Sequence, residues 1–165
     1  IDGKGLNLVK MPIVLEELID SVLVKFQKRY PKQDVVLEMP EEFISIPMDP
    51  VLIEQVIVNI LENAVQHAVG MTELTLKVFV VGQQAIFEIS DNGCGIEKDR
   101  LVNIFECFFE KKNAPIDSQK SSMGIGLSVC ASIIKAHNGS ITAENRKGGG
   151  CCFRFSLNME EEENA

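Results

Sequence analysis

The residues most suggestive of chemistry form the run Asp-Asn-Gly-Cys-Gly-Ile at positions 91–96. Ala85, Phe87 and Ile89 recur at every second position before it, so the alternation carries Asp91 to the core-facing side of a strand. A buried carboxylate is costly unless it is hydrogen-bonded, and glycines let a backbone approach a flat or phosphorylated ligand. The run therefore predicts an acid at the floor of a pocket, where it accepts a hydrogen bond from an exocyclic amine such as that of adenine. The alternative is a strand that enters a glycine-rich turn with an aspartate cap.

A second group of polar residues lies on a helix predicted over residues 49–68. Asp49 and Pro50 are typical of a helix start, with aspartate as the N-cap and proline at the first position. Most of the helix is apolar, but one face carries polar side chains at three- and four-residue steps: Gln55, Asn59, Glu62, Asn63 and Gln66. A solvated stripe is the ordinary interpretation. Asparagine is a poor helix former, however, and amide oxygens four residues apart can ligate a hard cation such as Mg²⁺ while leaving positions for water and phosphate.

The third group is Ser-Met-Gly-Ile-Gly-Leu at 122–127, which we expect to open a helix over 124–137. Small residues at a helix start expose backbone N–H groups, and the helix dipole favours an anion there. A simple loop-to-helix turn would have the same pattern. The order of the three groups is what indicates a nucleotide site: an asparagine-bearing helix, an Asp-x-Gly-x-Gly run, a loop, and then Gly-x-Gly-Leu.

The elements that must position these groups are read from periodicity and turn residues. Helices are predicted over 13–30, 49–68, 97–104 and 124–137, and strands over 7–10, 35–39, 43–48, 74–81, 84–90, 140–145 and 151–157. The strands of 74–90 form a hairpin over Gly82-Gln83, and the last two strands close across the glycines at 148–150. The sequence thus predicts an α+β fold, a two-layer sandwich with a mixed sheet and helices on one face.

Composition limits the classes of protein. Residues 1–158 suit one domain, and the acidic tail over 159–165 is predicted to be disordered. The net charge of -8 argues against a nucleic acid partner, and no apolar run is long enough to span a bilayer. The odd number of cysteines, five, without metal-ligand spacing indicates reduced thiols in the cytoplasm.

These motifs together resemble the catalytic, ATP-binding domain of bacterial sensor histidine kinases, in the superfamily of gyrase, Hsp90 and MutL with its Bergerat-type fold. Four runs carry the resemblance in the right order: Asn-Ile-Leu-Glu-Asn-Ala at 59–64 (N box), Asp-Asn-Gly-Cys-Gly-Ile at 91–96 (first Gly box), Ile-Phe-Glu-Cys-Phe-Phe at 104–109 (F box) and Met-Gly-Ile-Gly-Leu at 123–127 (second Gly box). The Leu-Glu-Asn-Ala-Val run and the closing Gly-Gly-Gly-Cys-Cys-Phe-Arg-Phe look most like the potassium-responsive, Kdp-type sensor kinases.

The resemblance implies roles for individual residues. Asp91 would bind the adenine amine, Asn63 would ligate Mg²⁺ as cofactor beside the triphosphate of ATP, and Asn59 would support the phosphates or the metal. The same family site would include these residues: Gly93, Gly95, Ile96, Gly124, Ile125, Gly126, Leu127 and Cys151. Residues 106–123 would form a mobile ATP lid, with Lys111 and Lys112 drawn towards the phosphates. The implied reaction is transfer of the γ-phosphoryl group to a histidine nitrogen.

The acceptor is expected on another part of the parent protein. His67 and His137 both have ordinary structural interpretations, one near a helix end and one in a helix C-cap. The resemblance implies a separate, histidine-bearing dimerisation domain, a response regulator as a partner of the parent, and a cytoplasmic position for this domain in a membrane-anchored kinase.

Two other functions stay open. A related ATPase or serine kinase would place a glutamate general base where this chain has Asn59. A degenerate nucleotide-binding module is suggested by Cys107, Glu110 and Gln66, which stand where the family often has basic residues.

Overall fold

A computed structural model describes residues 7–106 and 118–160, and over 118–125 it describes the backbone alone. The elements within these residues, in chain order, are β1 (Met11–Val14), α1 (Leu15–Arg29), β2 (Val36–Glu38), β3 (Ser45–Met48), α2 (Pro50–His67), β4 (Leu74–Val81), β5 (Gln84–Asp91), α3 (Lys98–Val102), α4 (Ser118–Ala136), β6 (Ser140–Asn145) and β7 (Cys151–Asn158).

The main sheet has five strands in the order β2-β4-β5-β7-β6. β2 runs parallel to β4, and the other neighbours are antiparallel, so the sheet is mixed as predicted. Val81 lies opposite Gln84, which confirms the tight hairpin, and Gly82 adopts the positive φ of 60° that this turn needs. The α+β sandwich is confirmed.

The core lies between the sheet and the helices. Along β5 every second residue from Ala85 to Asp91 is buried, and the ring of Phe87 stacks on Phe155 of β7 with centroids 4.6 Å apart. Each fully buried side chain of this size stabilises the fold by about 1.5–3 kcal/mol. Helix α2 contacts α1, α4 and β5, and this packing holds its asparagine face beside the end of β5.

Several predicted elements differ from the structure. The first strand covers Met11–Val14 instead of 7–10, and Pro12 lies within it opposite Pro47. Proline is tolerated there because β1 and β3 form a separate two-stranded sheet in which one side of each strand carries no ladder. The strands predicted over 35–39 and 43–48 are shorter in the structure, Val36–Glu38 and Ser45–Met48. They join different sheets, since β2 pairs with β4 and β3 pairs with β1.

The largest difference is helix α4, which begins at Ser118 rather than at Gly124. No proline or glycine stands between Ser118 and Met123, so nothing in that run breaks a helix.

The predicted division at residue 158 stays a prediction. The N–H of Met159 donates to the carbonyl oxygen of Gln83 at 2.8 Å, and the Met159 side chain packs against the core, while residues 161–165 lie outside the described part of the chain. Of the cysteines in the described part, Cys94, Cys130, Cys151 and Cys152 are free thiols. No helix among the described residues is both long and apolar enough to cross a membrane.

Candidate functional site

Asp91 ends β5 on the core side, as the alternation predicts, and only 6% of its surface is exposed. Its Oδ1 accepts a hydrogen bond of 2.8 Å from the N–H of Gly93, which partly offsets the cost of burying the carboxylate. The Asp91 carbonyl oxygen accepts a second bond of 2.8 Å, from Nη1 of Arg146. These bonds fix both the backbone and the side chain of the aspartate at the edge of the sheet.

The two glycines after Asp91 let the backbone pack closely against α2 and turn away from the strand. A Cβ added to Gly93 would come within 2.9 Å of the Ala68 carbonyl group, so glycine lets the turn press against the end of α2. Gly95 has a φ of +82°, the left-handed region that favours glycine. Gly93 is not among the residues that line the cavity described next, so a contact between Gly93 and a base stays a prediction.

A cavity opens between the end of α2 and the turn that follows β5. Five of the predicted site residues line it: Asn63, Asp91, Gly95, Ile96 and Cys151. Four further residues complete the wall: Ala64, His67, Ala68 and Phe153. Burial, and then the neighbouring Asp91 carboxylate, raise the pKa of the Cys151 thiol to about 12. Cys151 therefore stays a neutral thiol beside the acid. We name this space the base cavity.

Asn145 holds one wall of the base cavity and was missed by sequence reasoning. Its Oδ1 accepts from the N–H of Ile96 and its Nδ2 donates to the Ile96 carbonyl oxygen, both at 2.8 Å. This pair of bonds ties the turn after β5 to the end of β6. The sequence signal was slight, an asparagine before a glycine-rich turn.

The predicted polar stripe lies on α2, and the predicted start of this helix is confirmed. Asp49 is its N-cap and Oδ1 accepts from the N–H of Leu52 at 3.3 Å. Further along the helix, part of the polar stripe faces a second, larger cavity. This cavity is lined by Arg29, Asn59, Glu62, Asn63, Gln66, Gly126 and Leu127. Asn63 lines both cavities, so they adjoin at that residue. We name the larger space the polar cavity.

Two members of the polar stripe form hydrogen bonds with the C-terminal end of α1. Nη1 of Arg29 donates to both carboxylate oxygens of Glu62, at 3.0 and 3.3 Å, and Nε2 of Gln66 donates to the Tyr30 hydroxyl at 3.1 Å. The asparagines, in contrast, do not pair with α1. Of the stripe residues that line the polar cavity, Asn59 and Asn63 are therefore the ones to which we assign cation binding.

The amide of Asn59 is oriented by a buried thiol. Its Nδ2 donates to Sγ of Cys130 at 3.9 Å, and that thiol donates to the Val56 carbonyl oxygen at 3.8 Å. Burial raises the pKa of Cys130 to about 12, so the sulfur stays protonated. With the amide nitrogen directed at sulfur, the oxygen is the atom that Asn59 can offer to a cation.

The donor set fits Mg²⁺ better than a softer metal. No cluster of three or more His, Cys, Asp or Glu side chains suitable for a metal occurs in the part of the chain that the structure describes. Amide oxygens on a polar cavity match an ion that keeps several waters and takes its remaining ligands from phosphate. Asn59 and Asn63 are the residues that would hold it.

The glycine-rich run at 122–127 is only partly described. Gly126 and Leu127 line the polar cavity, and neither is among the residues that line the base cavity. Because α4 begins at Ser118, Gly124 and Gly126 lie beyond its first turn, where an N–H ordinarily bonds the carbonyl four residues earlier. The expectation that these glycines start the helix is wrong, whereas their contact with phosphate stays a prediction.

The other predictions for this region concern residues without a described position. The side chain of Ile125 is outside the described part of the structure, as are Lys111, Lys112 and Cys107. The lid prediction for 106–123 likewise falls mainly there.

His137 has a structural role. It is 3% exposed, its Nδ1 lies 2.8 Å from the Ile133 carbonyl oxygen, and its Nε2 accepts from the N–H of Asp49 at 3.1 Å. Since a carbonyl can only accept, Nδ1 carries the proton and the ring is neutral. Burial lowers the pKa of His137 accordingly. Both ring nitrogens are engaged, so this histidine is poorly placed to receive a phosphoryl group.

Comparison with known proteins agrees with this geometry. The family described as histidine kinase-, DNA gyrase B-, and HSP90-like ATPase matches residues 48–161. The sensor protein KdpD of Clostridium acetobutylicum is 36% identical over 147 residues, 89% of this chain and 16% of KdpD. The adaptive-response sensory kinase SasA of Synechococcus elongatus is 32% identical over 158 residues, 94% of this chain and 40% of SasA. The chain thus spans less than half the length of either relative.

Solved structures show the same fold. The nucleotide-free catalytic domain of histidine kinase ThkA aligns with a TM-score of 0.75 and 25% identity, covering 92% of this chain and 97% of that domain. ThkA in complex with response regulator TrrA aligns with a TM-score of 0.73 and 25% identity, covering 92% of this chain and 42% of that one.

Proposed function

Because the chain belongs to the family of histidine kinase-, DNA gyrase B- and HSP90-like ATPases, we propose that it binds Mg²⁺-ATP and donates the γ-phosphoryl group to a histidine of a sensor kinase. Adenine would occupy the base cavity and the phosphates the polar cavity. The observation that carries the proposal is Asp91, a buried carboxylate held on one oxygen by Gly93 and lining the base cavity, so that it can accept from the adenine amine.

The residues at the junction of the cavities have distinct tasks. Ile96, held by Asn145, provides an apolar wall for the base. Asn63 lines both cavities and would offer its amide oxygen to Mg²⁺, and Asn59, which lines the polar cavity, would offer a second one. Mg²⁺, when bound, neutralises charge on the phosphates. In the transfer, the bond from the γ-phosphorus to the bridging oxygen of ADP breaks and a bond to the histidine nitrogen forms, so positioning and charge account for most of the catalysis.

The acceptor histidine and the partners belong to the proposal as well. His137 is buried with both ring nitrogens engaged, which favours an acceptor on a separate dimerisation domain. The structure of ThkA with TrrA supports a response regulator as the next partner of the parent kinase. The similarity to KdpD supports a Kdp-type parent, with this domain on the cytoplasmic side of a membrane.

An ATPase or serine kinase of the same family is a weaker candidate. Such an enzyme needs a general base to take a proton from water or a hydroxyl, and an amide cannot serve as one. Asn59 occupies the position in question and its Nδ2 is directed at Cys130.

Phosphoryl transfer tests the proposal directly. The purified chain is mixed with γ-labelled ATP and Mg²⁺, with and without the histidine-bearing dimerisation domain of a Kdp-type kinase. We expect label on that domain at its histidine and none on the chain alone. Label on His67 or His137 of the chain alone would contradict the proposal, and nucleotide binding without any transfer would identify a degenerate binding module.

A further inference from the structure

Arg29, the last residue of α1, lies at the polar cavity, although it belongs to none of the nucleotide motifs. Among the described residues that line this cavity, it is the single basic one, and Glu62 is the single acidic one. The two form an ion pair with 3.0 Å between Nη1 and Oε2. The Glu62 side chain is 14% exposed and that of Arg29 is 65% exposed.

The stability of the fold does not account for this arrangement. An ion pair with one exposed partner typically stabilises a protein by less than about 1 kcal/mol, so Arg29 contributes little as a link between α1 and α2. The pair does orient the guanidinium, because Glu62 holds Nη1 with both carboxylate oxygens. Of the five N–H donors of an arginine, those on Nε and Nη2 are then left for another acceptor at the cavity.

Electrostatics indicate what that acceptor is. Without Arg29, a triphosphate entering the polar cavity would meet the Glu62 carboxylate in a chain of net charge -8. Arg29 neutralises this carboxylate and adds a planar donor set that matches phosphate oxygens. An exposed guanidinium can reach an incoming anion without leaving Glu62.

We propose that Arg29 binds the phosphate end of the nucleotide, held in place by Glu62. This inference rests on the proposed nucleotide function and extends it, since it adds a residue of α1 to a site otherwise built from α2, α4, β5, β7 and the turn after β5. Arg29 is a binding residue for the phosphates and makes no contact with the base cavity.

The chain contains a matched control. Lys25 and Glu54 join the same two helices, with 2.5 Å between Nζ and Oε1 and side-chain exposures of 62% and 13%. Neither residue lines either of the two cavities. Lys25→Gln therefore removes an equivalent ion pair, and an equivalent charge, without touching the proposed phosphate contact.

Binding of Mg²⁺-ATP, Mg²⁺-ADP and adenosine is measured for the wild-type chain, Arg29→Gln and Lys25→Gln, by calorimetry for the nucleotides and by NMR titration for adenosine. We expect Arg29→Gln to weaken ATP binding about 5- to 15-fold, the loss of one charge-assisted hydrogen bond at a partly exposed site. ADP binding should weaken less than ATP binding. Adenosine has no phosphate for Arg29 to bind, so its affinity should change by less than about twofold. Lys25→Gln should match the wild type with all three ligands.

Each outcome decides the matter. Equal losses for ATP, ADP and adenosine, or equal losses in Arg29→Gln and Lys25→Gln, would overturn the role of Arg29 while leaving the proposed function intact. Failure of the wild-type chain to bind any of the three ligands would overturn both. If Arg29→Gln does not fold, the Nε–H resonance of Arg29 in the wild type replaces it: a shift with ATP but not with adenosine supports the proposal, and no shift with ATP refutes it.

Discussion

Replacing Asp91 with asparagine changes the chemistry of the base cavity while keeping its shape. In the structure Oδ1 of Asp91 accepts from the N–H of Gly93 at 2.8 Å, and an asparagine oxygen can preserve that bond. The second carboxylate oxygen then becomes an NH₂ group. An adenine amine that approaches it meets a donor instead of an acceptor.

The size of the effect follows from burial. Asp91 is 6% exposed, so water compensates little for the missing acceptor. Losing a hydrogen bond to a charged group and leaving two donors facing each other costs about 2–3 kcal/mol, or roughly a 30- to 150-fold loss of affinity. Stability should change little, because the bond to Gly93 and the bond from Arg146 to the Asp91 carbonyl oxygen both remain.

Calorimetric titration with Mg²⁺-ADP measures this loss, and circular dichroism with thermal unfolding verifies the fold. Asp49→Asn is the matched control, since Asp49 is also a buried aspartate, 8% exposed, but serves as the N-cap of α2. Asparagine caps a helix as well as aspartate does. Oδ2 of Asp49 also accepts from the N–H of Val9 at 3.0 Å, so Asp49→Asn loses a comparable buried hydrogen bond outside both cavities and should still bind as the wild type does. A folded Asp91→Asn variant with unchanged affinity would remove Asp91 from the site and refute the reasoning.

Three further predictions concern residues that hold the site. Gly150→Ala should destabilise the fold by at least about 2 kcal/mol in denaturant titrations, because its φ is +97° and a Cβ would lie 1.9 Å from the Asp91 carbonyl oxygen. Gly148→Ala, with a φ of +88° and open space, should cost only about 1–2 kcal/mol from the strained φ, and equal costs would contradict the clash. Asn145→Ala should weaken calorimetric ADP binding several-fold, since both bonds to the wall residue of the base cavity are lost; unchanged binding would show that this wall does not need them. Burial lowers the pKa of His137 below 6.5, so as the pH falls the unfolded chain takes up a proton before the folded chain does. The free energy of unfolding is therefore retained above pH 6.5 and falls as the pH drops towards the folded pKa, by up to about 1.4 kcal/mol per pH unit. His137→Gln should flatten that slope relative to the wild type, and an identical slope would exclude His137 as its source.

The sequence alone was sufficient wherever the signal was local. A two-residue alternation is enough to place Asp91 on the core side of β5, because strand geometry fixes the side of each residue relative to its neighbours. The helix start at Asp49-Pro50 and the hairpin over Gly82-Gln83 depend on backbone preferences of a few adjacent residues, and both are confirmed. The four motifs in order indicate the family that the comparison with known proteins confirms.

The sequence pattern predicted the wrong helix or strand boundary where the backbone preferences of the residues are weak. The glycine-rich run at 122–127 was expected to open a helix at Gly124, yet α4 begins at Ser118. Glycine in a helix interior costs only about 1 kcal/mol, which packing of the rest of a long helix readily exceeds. The first strand was predicted over 7–10 but covers Met11–Val14, because the open side of a two-stranded sheet accepts Pro12, a residue without an N–H donor.

Only the tertiary structure decided which distant residues complete the site. Arg29 and Glu62 are 33 positions apart, Asn145 and Ile96 are 49 apart, and His137 and Asp49 are 88 apart. Each of these contacts forms because packing of helices and strands brings the two chain segments within hydrogen-bonding distance. Periodicity describes the face on which a side chain lies but not the partner that faces it, so the sequence determined the chemistry of the motifs and the packed fold determined what surrounds them.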